Sequence, residues 1–276
     1  MIIIISTNHK RIYKMKKITV AFFASSALLL AAHWEHHHEA SSEFATLQMF
    51  TNDIIDNTHQ IEFANSDKQL GGTGTVEVGD DVDLLDLSVR YQPIDHLGFD
   101  ARLPVISNDI ADEFGVGDFS LSANYHFGQP DADFGTNITT LRYKTTSGNE
   151  DKGLGTGEGS FTLTHTTAMD IAGGFRLHGL LTYTLNSGDI DDSFGVMFGG
   201  SHECLLSEYV TTNAKITYFD QDKLSVADFW IEWSTKKIIP GAPLSAGLKI
   251  PMINKFDGDS LHKPFLFYVS ASGFFF

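Results

Sequence analysis

Ionisable side chains recur at alternate positions of long apolar segments in this 276-residue chain. In the segment 118–128, His126 shares one face of an extended strand with serine and asparagine, whereas the other face is apolar. Charges of both signs on such a face can line a polar path or bind the polar end of a solute, and they can equally pair and seal the space between them. The candidate lumen-lining set is Arg90, Asp100, Arg102, His126, Arg142, Lys144, Arg176, His178, Lys215, Asp228, Glu232 and Lys249.

A second group of potential ligands is the sequence HWEHHHEA at 33–40, which contains His33, His36, His37 and His38. Imidazole and carboxylate groups at this density can bind Zn²⁺, Cu²⁺ or Ni²⁺. The sequence has no fixed ligand spacing, so we expect a solvated tail with incidental metal affinity more than a dedicated site. We predict no cofactor.

Serine and histidine also raise the possibility of a lipid-hydrolysing barrel. Ser122 precedes His126, Ser160 precedes His165, and His178 lies on a neighbouring segment. A nucleophile needs its base within hydrogen-bonding reach, but side chains four residues apart on a strand are about 13 Å apart. The sequence also lacks a G-x-S-x-G motif. We therefore predict that the protein is not an enzyme.

The elements that position these residues have a hydrophobic period of two, which is typical of strands. Several segments run ten residues or more, which fits transmembrane strands better than the strands of about five or six residues in soluble sheets. The pattern predicts an all-β fold, a transmembrane antiparallel β-barrel of about 12 strands, with 10 or 14 as alternatives. The predicted strands are 57–66, 82–92, 96–104, 118–128, 136–146, 158–168, 174–186, 192–200, 207–219, 224–236, 243–251 and 262–276.

Aromatic residues at the ends of these segments favour a membrane barrel over a secreted β-sandwich of the same period. Transmembrane barrels carry aromatic girdles where the wall meets the two membrane interfaces. The residues in question are Tyr91, Phe127, Tyr143, Tyr218 and Phe219.

The N-terminal region has the pattern of a secretory signal peptide. Five basic residues precede the apolar stretch Ile18–Ala32, which is too short to cross a bilayer comfortably as a helix. We predict an extended start plus signal peptide over 1–32, with translation starting at Met15. The chain has a net charge of −16, and removal of the basic residues makes it more acidic still, so nucleic acid is a poor partner.

The rest of the chain divides into a His-rich flexible segment, 33–56, and the barrel, 57–276. Alternation is weaker between His33 and Val82, and a plug or a periplasmic piece is an alternative for that region. The single cysteine, Cys204, excludes an internal disulfide.

Three stretches carry a resemblance to a known family. They are GVGDFSLSANYHF (115–127), TTSGNEDKGLGTGEGSFTLTHT (145–166) and RLHGLLTYTLN (176–186). Their G-x-G-D motif before a strand and their glycine-rich G-x-G-T-G loop resemble the family labelled meta-pathway of phenol degradation. The resemblance implies an outer-membrane barrel of the kind called transporters. The final Phe276, with Phe274 two residues before it, also resembles the C-terminal signal that the barrel-assembly machinery reads.

Together these observations predict a channel in the outer membrane of a Gram-negative bacterium that passes small solutes, hydrophobic or aromatic ones among them, by passive or facilitated diffusion. The alternative is a structural barrel that transports nothing, and a lipid hydrolase is least favoured. The expected partners are outer-membrane lipid, lipopolysaccharide, the assembly machinery and an unidentified small solute.

Overall fold

The computed structural model describes the chain from Ser41 onward. The predicted signal peptide, the histidines of 33–38 and Phe276 lie outside the described residues. The structure describes residues 41–64, 69–78, 82–108, 112–127, 135–152, 154–171, 173–188, 190–207, 210–235, 244–257, 259–260 and 265–275.

Strands make up most of the described chain. They are β1 (Leu70–Val78), β2 (Val82–Ile94), β3 (Leu97–Asn108), β4 (Glu113–Val116), β5 (Ser120–Phe127), β6 (Thr136–Lys144), β7 (Ser160–Ile171), β8 (Phe175–Asn186), β9 (Ser193–Ser207), β10 (Val210–Gln221), β11 (Leu224–Ser234), β12 (Leu244–Phe256), β13 (Asp259–Ser260) and β14 (Leu266–Phe275). A short 3₁₀ helix spans Glu150–Lys152.

Twelve of these strands form one closed antiparallel barrel. Neighbours along the chain pair with one another, β11 pairs with β12, and β14 pairs with β1 in a register that joins Leu70 to Phe275. The two short strands, β4 and β13, extend the hairpins at β3 and β12. The predicted fold class and strand number are confirmed.

The two faces of the wall have opposite chemistry. On β2, Leu85, Leu87 and Val89 point outward and are 37–56% exposed, whereas Asp86 and Ser88 between them are buried. The wall therefore presents apolar side chains outward and polar side chains inward, which is the arrangement of a membrane barrel.

One helix, α1 (Ser41–Ala64), lies inside the barrel. Its sequence contains neither glycine nor proline, so no residue opposes helix formation strongly. Ile54, Asn57 and His59 are at most 1% exposed because strands surround them on all sides. None of the helices in the described ranges is apolar and long enough to cross a membrane. We call α1 the lumen helix.

The predicted first strand, 57–66, is wrong, because these residues belong to the lumen helix or follow it. Residues 41–56 of the segment predicted to be flexible form the first part of the same helix. The true first strand, β1, has the sequence LGGTGTVEV, in which three glycines remove the side chains that would show alternation. Of the alternatives for this region, the plug describes the helix best.

The barrel has two distinct ends. The terminal end contains the start of β1 and the end of β14, and it has the connections 95–96, 128–135, 172–174, 208–209 and 235–243. The far end has the connections 79–81, 109–119, 145–159, 187–192, 222–223 and 257–265. The two longest connections, 145–159 and 109–119, are therefore both at the far end.

One of the residues assigned to the aromatic girdles is placed differently by the structure. Tyr91, Phe127, Tyr143 and Tyr218 are 40–49% exposed, but Phe219 is 1% exposed and points inward. Its ring lies 5.5 Å from that of Phe50 on the lumen helix. Neighbouring strand residues face opposite sides of the wall, so only one of Tyr218 and Phe219 can face outward.

The inward face of β14 carries a tyrosine and two serines. Tyr268, Ser270 and Ser272 are buried, and Val269 and Ala271 between them are partly exposed on the outer side. The serines therefore face the lumen. Phe274 pairs with Gly71 in the backbone register, and its assembly role stays a prediction.

Candidate functional site

The structure places all twelve ionisable candidates at inward-facing positions of strands. Asp100, Arg176 and Lys249 are half-buried, and the other nine are buried. Nine of them are arranged in four groups along the lumen, and two of these groups also include residues of the lumen helix.

The largest group is the arginine cluster, which we define as Arg90, Arg102 and Arg142 of the wall. Two carboxylates of the lumen helix, Asp53 and Asp56, lie one helical turn apart and both reach it. Arg102 contacts Asp56 Oδ2 at 3.0 Å and Asp53 Oδ1 at 3.3 Å. Arg90 is also paired with Asp56, and Arg142 Nη1 lies 2.7 Å from Asp53 Oδ1. One side of the helix is thus fixed to β2, β3 and β6.

The wall supplies its own partners to the same cluster. Asp86 Oδ2 lies 3.2 Å from Arg102 Nε, and Asp100 Oδ1 lies 3.6 Å from Arg90 Nε. The helix and wall carboxylates together surround the three guanidinium groups. Carboxylates of the wall therefore neutralise part of the positive charge of the arginine cluster, and carboxylates of the helix neutralise the rest.

A histidine of the lumen helix meets hydroxyl groups of the wall. His59 Nδ1 lies 3.2 Å from Ser272 Oγ, and His59 Nε2 lies 3.5 Å from Ser245 Oγ. The imidazole therefore joins the helix to β12 and β14.

A second group lies around Glu232 near the terminal end. Its carboxylate accepts hydrogen bonds from Asn213 at 2.6 Å, from Tyr268 at 2.5 Å and from Thr58 of the lumen helix at 3.2 Å. Lys215 Nζ lies 3.4 Å from the same carboxylate and donates to the backbone oxygen of Ile54 at 3.0 Å. This group therefore fixes the helix on the side opposite the arginine cluster.

The third group is the weaker pair of Asp228 and Lys249. Lys249 Nζ lies 3.9 Å from Asp228 Oδ2 and 5.8 Å from the ring centre of Trp230. The cation is thus shared between a carboxylate and an aromatic face.

The fourth group, at the far end, explains both motifs of the family resemblance. Asp118 of the G-x-G-D motif accepts hydrogen bonds from the backbone of Gly148 at 2.8 Å and of Thr156 at 2.9 Å. Lys144 Nζ lies 3.3 Å from the same carboxylate and also contacts Thr156 Oγ1. Leu154, inside G-x-G-T-G, is 5% exposed. The first motif therefore folds the loop that carries the second.

Arg176 and the two candidate histidines lie apart from these groups. Arg176 forms a two-bond pair with Asp170 at 2.6 and 2.9 Å near the terminal end. His178 is buried and lies 2.9 Å from Ser201 Oγ, and His126 is buried on β5.

The serine and histidine residues weighed for hydrolysis are not brought together. Ser122 accepts a hydrogen bond from Arg142, and Ser160 is buried while His165 is on the outer face beside Thr139. The pair that does meet, His178 and Ser201, was missed because its members are on different strands. Within the described ranges His178 Nδ1 has no hydrogen-bond partner, so the pair lacks the orienting group of a catalytic triad.

Metal ligands are not grouped in the described part of the chain, where no three His, Cys, Asp or Glu side chains are arranged to hold an ion. The His-rich sequence at 33–38 is not covered by this observation.

Polar contacts with the wall are balanced by apolar packing on another side of the lumen helix. Phe50, Ile54 and Ile55 pack into a buried cluster with wall residues that include Trp230 and Met197. A crevice near the far end, too narrow to hold a water molecule, is lined by Met49, Phe50, Asp53, Thr162, Thr182, Thr184 and Phe219. Elsewhere helix side chains occupy the middle of the barrel.

Comparison with known proteins bears on the fold. Neither a protein-family model nor a curated protein matches this chain, so membership of the phenol meta-pathway family stays a prediction. Among solved structures, the COG4313 outer membrane channel from Pseudomonas putida F1 matches with a TM-score of 0.60 and 13% identity over 75% of this chain and 96% of that one. The KdgM porin in complex with disordered oligogalacturonate matches with a TM-score of 0.54 and 7% identity over 75% of this chain and 99% of that one.

A third match is the translocator domain of the autotransporter NalP from Neisseria meningitidis, with a TM-score of 0.51 and 10% identity over 86% of this chain and 100% of that one. A match of this extent is longer than the barrel from Leu70 to the C-terminus, so it includes residues that precede β1. At such identities the three comparisons establish the fold of outer-membrane barrels.

Proposed function

We propose that this protein is an outer-membrane channel for small solutes and that the lumen helix closes it in the conformation described here. Passage requires the helix to shift or leave the lumen. The likeness in fold to outer-membrane channels and porins supports this reading.

The observation that carries the proposal is the charged inner wall. Buried ion pairs contribute little to stability, and apolar replacements of similar volume are often as stable or more so. A barrel whose only task is to be stable has no need for three arginines in its interior, whereas a path for water and polar solutes does. The polar inner wall is therefore most simply explained as the lining of a pathway for water and polar solutes.

The wall chemistry also bears on the solute. The family resemblance implies small hydrophobic or aromatic solutes, whereas the arginine cluster suits a carboxylate or another anionic group. An aromatic molecule with a polar or acidic end satisfies both. The outer membrane of a Gram-negative bacterium, with its lipid and lipopolysaccharide around the apolar outer face, is the proposed location.

Phe274 and Phe276 are proposed to direct the chain to the barrel-assembly machinery. The pairing of Phe274 on the strand that closes the barrel is compatible with that role.

The helix that fills the lumen favours a second candidate function, a structural barrel without transport. Ile54 and Asn57, at the middle of the helix, are completely enclosed. If the helix never leaves the lumen, the barrel stays closed and serves only to anchor the protein in the membrane.

Conductance measurements separate the two candidates. The full-length protein and a variant without residues 41–64 are reconstituted in planar bilayers, and heat-modifiable migration on gels verifies that both barrels are folded. A channel predicts transient openings of the full-length protein and a steady open pore in the deletion variant. A full-length protein that never opens, beside a conducting deletion variant, would support the structural barrel and overturn the channel.

A further inference from the structure

The direction of the lumen helix is fixed by its contacts with the wall. Near its N-terminal side, Gln48 Nε2 donates to Glu77 Oε2 at 2.7 Å, and Glu77 is the last residue but one of β1, at the far end. Phe50 packs on Phe219, two residues before the far end of β10. The helix thus begins at the far end.

The other half of the helix contacts the terminal end. Thr58 donates to Glu232 near the end of β11, and His59 lies 3.2 Å from Ser272 near the end of β14. Ala64 is then followed within a few residues by Leu70, the first residue of β1. The chain therefore runs through the barrel from the far end to the terminal end before it starts the wall.

The helix is long enough to make this a complete crossing. Its 24 residues extend about 36 Å at 1.5 Å per residue, which exceeds the apolar band of about 25 Å on outer-membrane barrels. The enclosed side chains at its centre leave no room beside it for a second pass of the chain. The chain therefore enters the helix, at Ser41, from the far end.

Loop lengths assign the far end to the outside. Outer-membrane barrels have short periplasmic turns and longer external loops, and the two longest connections here, 109–119 and 145–159, are at the far end. The C-terminus is at the opposite, periplasmic end.

We propose that the barrel exports its own N-terminal segment: the chain that precedes Ser41 passes through the lumen and is presented at the outer surface, while the C-terminus stays periplasmic. The exported chain includes the histidine-rich sequence that ends at Ala40. This activity requires a barrel in the outer membrane, but it does not depend on whether that barrel conducts solutes.

Cysteine labelling on intact cells tests the proposal. Three variants are made in a Cys204→Ser background: Ser41→Cys at the start of the helix, Lys223→Cys in the exposed β10–β11 turn at the far end, and Asp95→Cys in the exposed β2–β3 turn at the terminal end. A membrane-impermeant maleimide is applied before and after permeabilisation of the outer membrane. Intact mass verifies that residue 41 is present, and heat-modifiable migration verifies folding.

The expected result is that Ser41→Cys and Lys223→Cys are labelled on intact cells at least tenfold more than Asp95→Cys, which is labelled only after permeabilisation. Labelling of Ser41→Cys that follows Asp95→Cys would overturn the proposal, because the helix would then run the other way. Absence of label at position 41 under both conditions would overturn it as well, because the chain would not emerge. A loss of channel openings in bilayers with this labelling pattern intact would leave export standing and reject only conduction.

Discussion

Asp56 of the lumen helix accepts a hydrogen bond from Arg102 of β3, with Nη2 and Oδ2 3.0 Å apart. The same carboxylate oxygen is paired with Arg90 of β2, so a single side chain joins the helix to two strands of the wall. Bonds of this kind are stronger than neutral hydrogen bonds, and they weaken when one partner loses its charge.

Removal of the two helix carboxylates should release the helix. In Asp53→Asn/Asp56→Asn, Arg90 keeps Asp100 and Arg102 keeps Asp86, whereas Arg142 loses its ion pair with Asp53, so the bonds between the wall and the helix weaken. Each lost charged hydrogen bond contributes about 1.5–3 kcal/mol, so we expect the open probability in planar bilayers to rise about tenfold or more. Glu113→Gln, which removes an exposed pair with Lys152, is the matched control and should leave it unchanged. An unchanged open probability in the double variant would mean that the ion pairs do not hold the helix.

A change of shape at Gly195 should act on the helix without altering charge. A Cβ at this inward-facing position would lie 2.5 Å from the Phe50 ring, a distance that real Cβ atoms essentially never show. Gly195→Val should therefore push the helix aside and increase liposome swelling by small sugars. The control is Gly200→Val, where the nearest atom would be 3.5 Å away and no swelling is expected. Equal rates of liposome swelling in Gly195→Val and Gly200→Val would contradict the packing of the helix against β9.

Asp118 should control the order of the loop 145–159. Asp118→Ala removes the acceptor of Gly148 and Thr156 and leaves Lys144 without its carboxylate. We expect trypsin to cleave after the exposed Lys152 about tenfold faster, because unpaired backbone groups no longer hold the loop closed. Asp220→Ala, which removes hydrogen bonds at the far end of β10, should leave that cleavage rate unchanged. Resistance of the Asp118 variant would show that the loop is held by other contacts.

Loss of one member of the buried pair near the terminal end should reduce stability. Glu232→Gln replaces the carboxylate beside the buried Lys215 ammonium by a neutral amide, and an uncompensated buried charge costs about 3 kcal/mol. The free energy of unfolding in urea with lipid vesicles measures this. The double variant Lys215→Met/Glu232→Gln should recover part of the loss, since no charge is then left unpaired. A double variant less stable than the single one would refute this account.

The sequence predicted the barrel because twelve residues such as Arg90 and Glu232 alternate with apolar neighbours, and alternation translates directly into two faces of a wall. It missed β1 because glycine has no side chain to alternate, as at Gly72 and Gly74. It missed the lumen helix for a different reason. A helix enclosed on all sides need not show the single apolar stripe of a surface helix, and Ile61 with Phe63 imitates the period of a strand.

The pairings within the site were beyond sequence reasoning. Nothing in the chain indicates that Asp53 meets Arg142, or that Asp118 folds a loop thirty residues away. One signal was present: Asp53, Asp56 and Gln60 form a polar stripe with helical spacing, and Gln60 does contact the wall at Thr140. Recognition of that stripe would have assigned the segment to a helix.

The join between β1 and β14 has a consequence for biogenesis. A hydrogen-bonded wall without edges encircles the lumen helix, and the helix is tied to β1 by only a few residues. Once the last strand pairs with the first, the helix has no sideways exit, and only axial movement remains. The final pairing in assembly therefore removes every lateral route for the N-terminal segment, which can afterwards enter or leave the lumen only along the barrel axis.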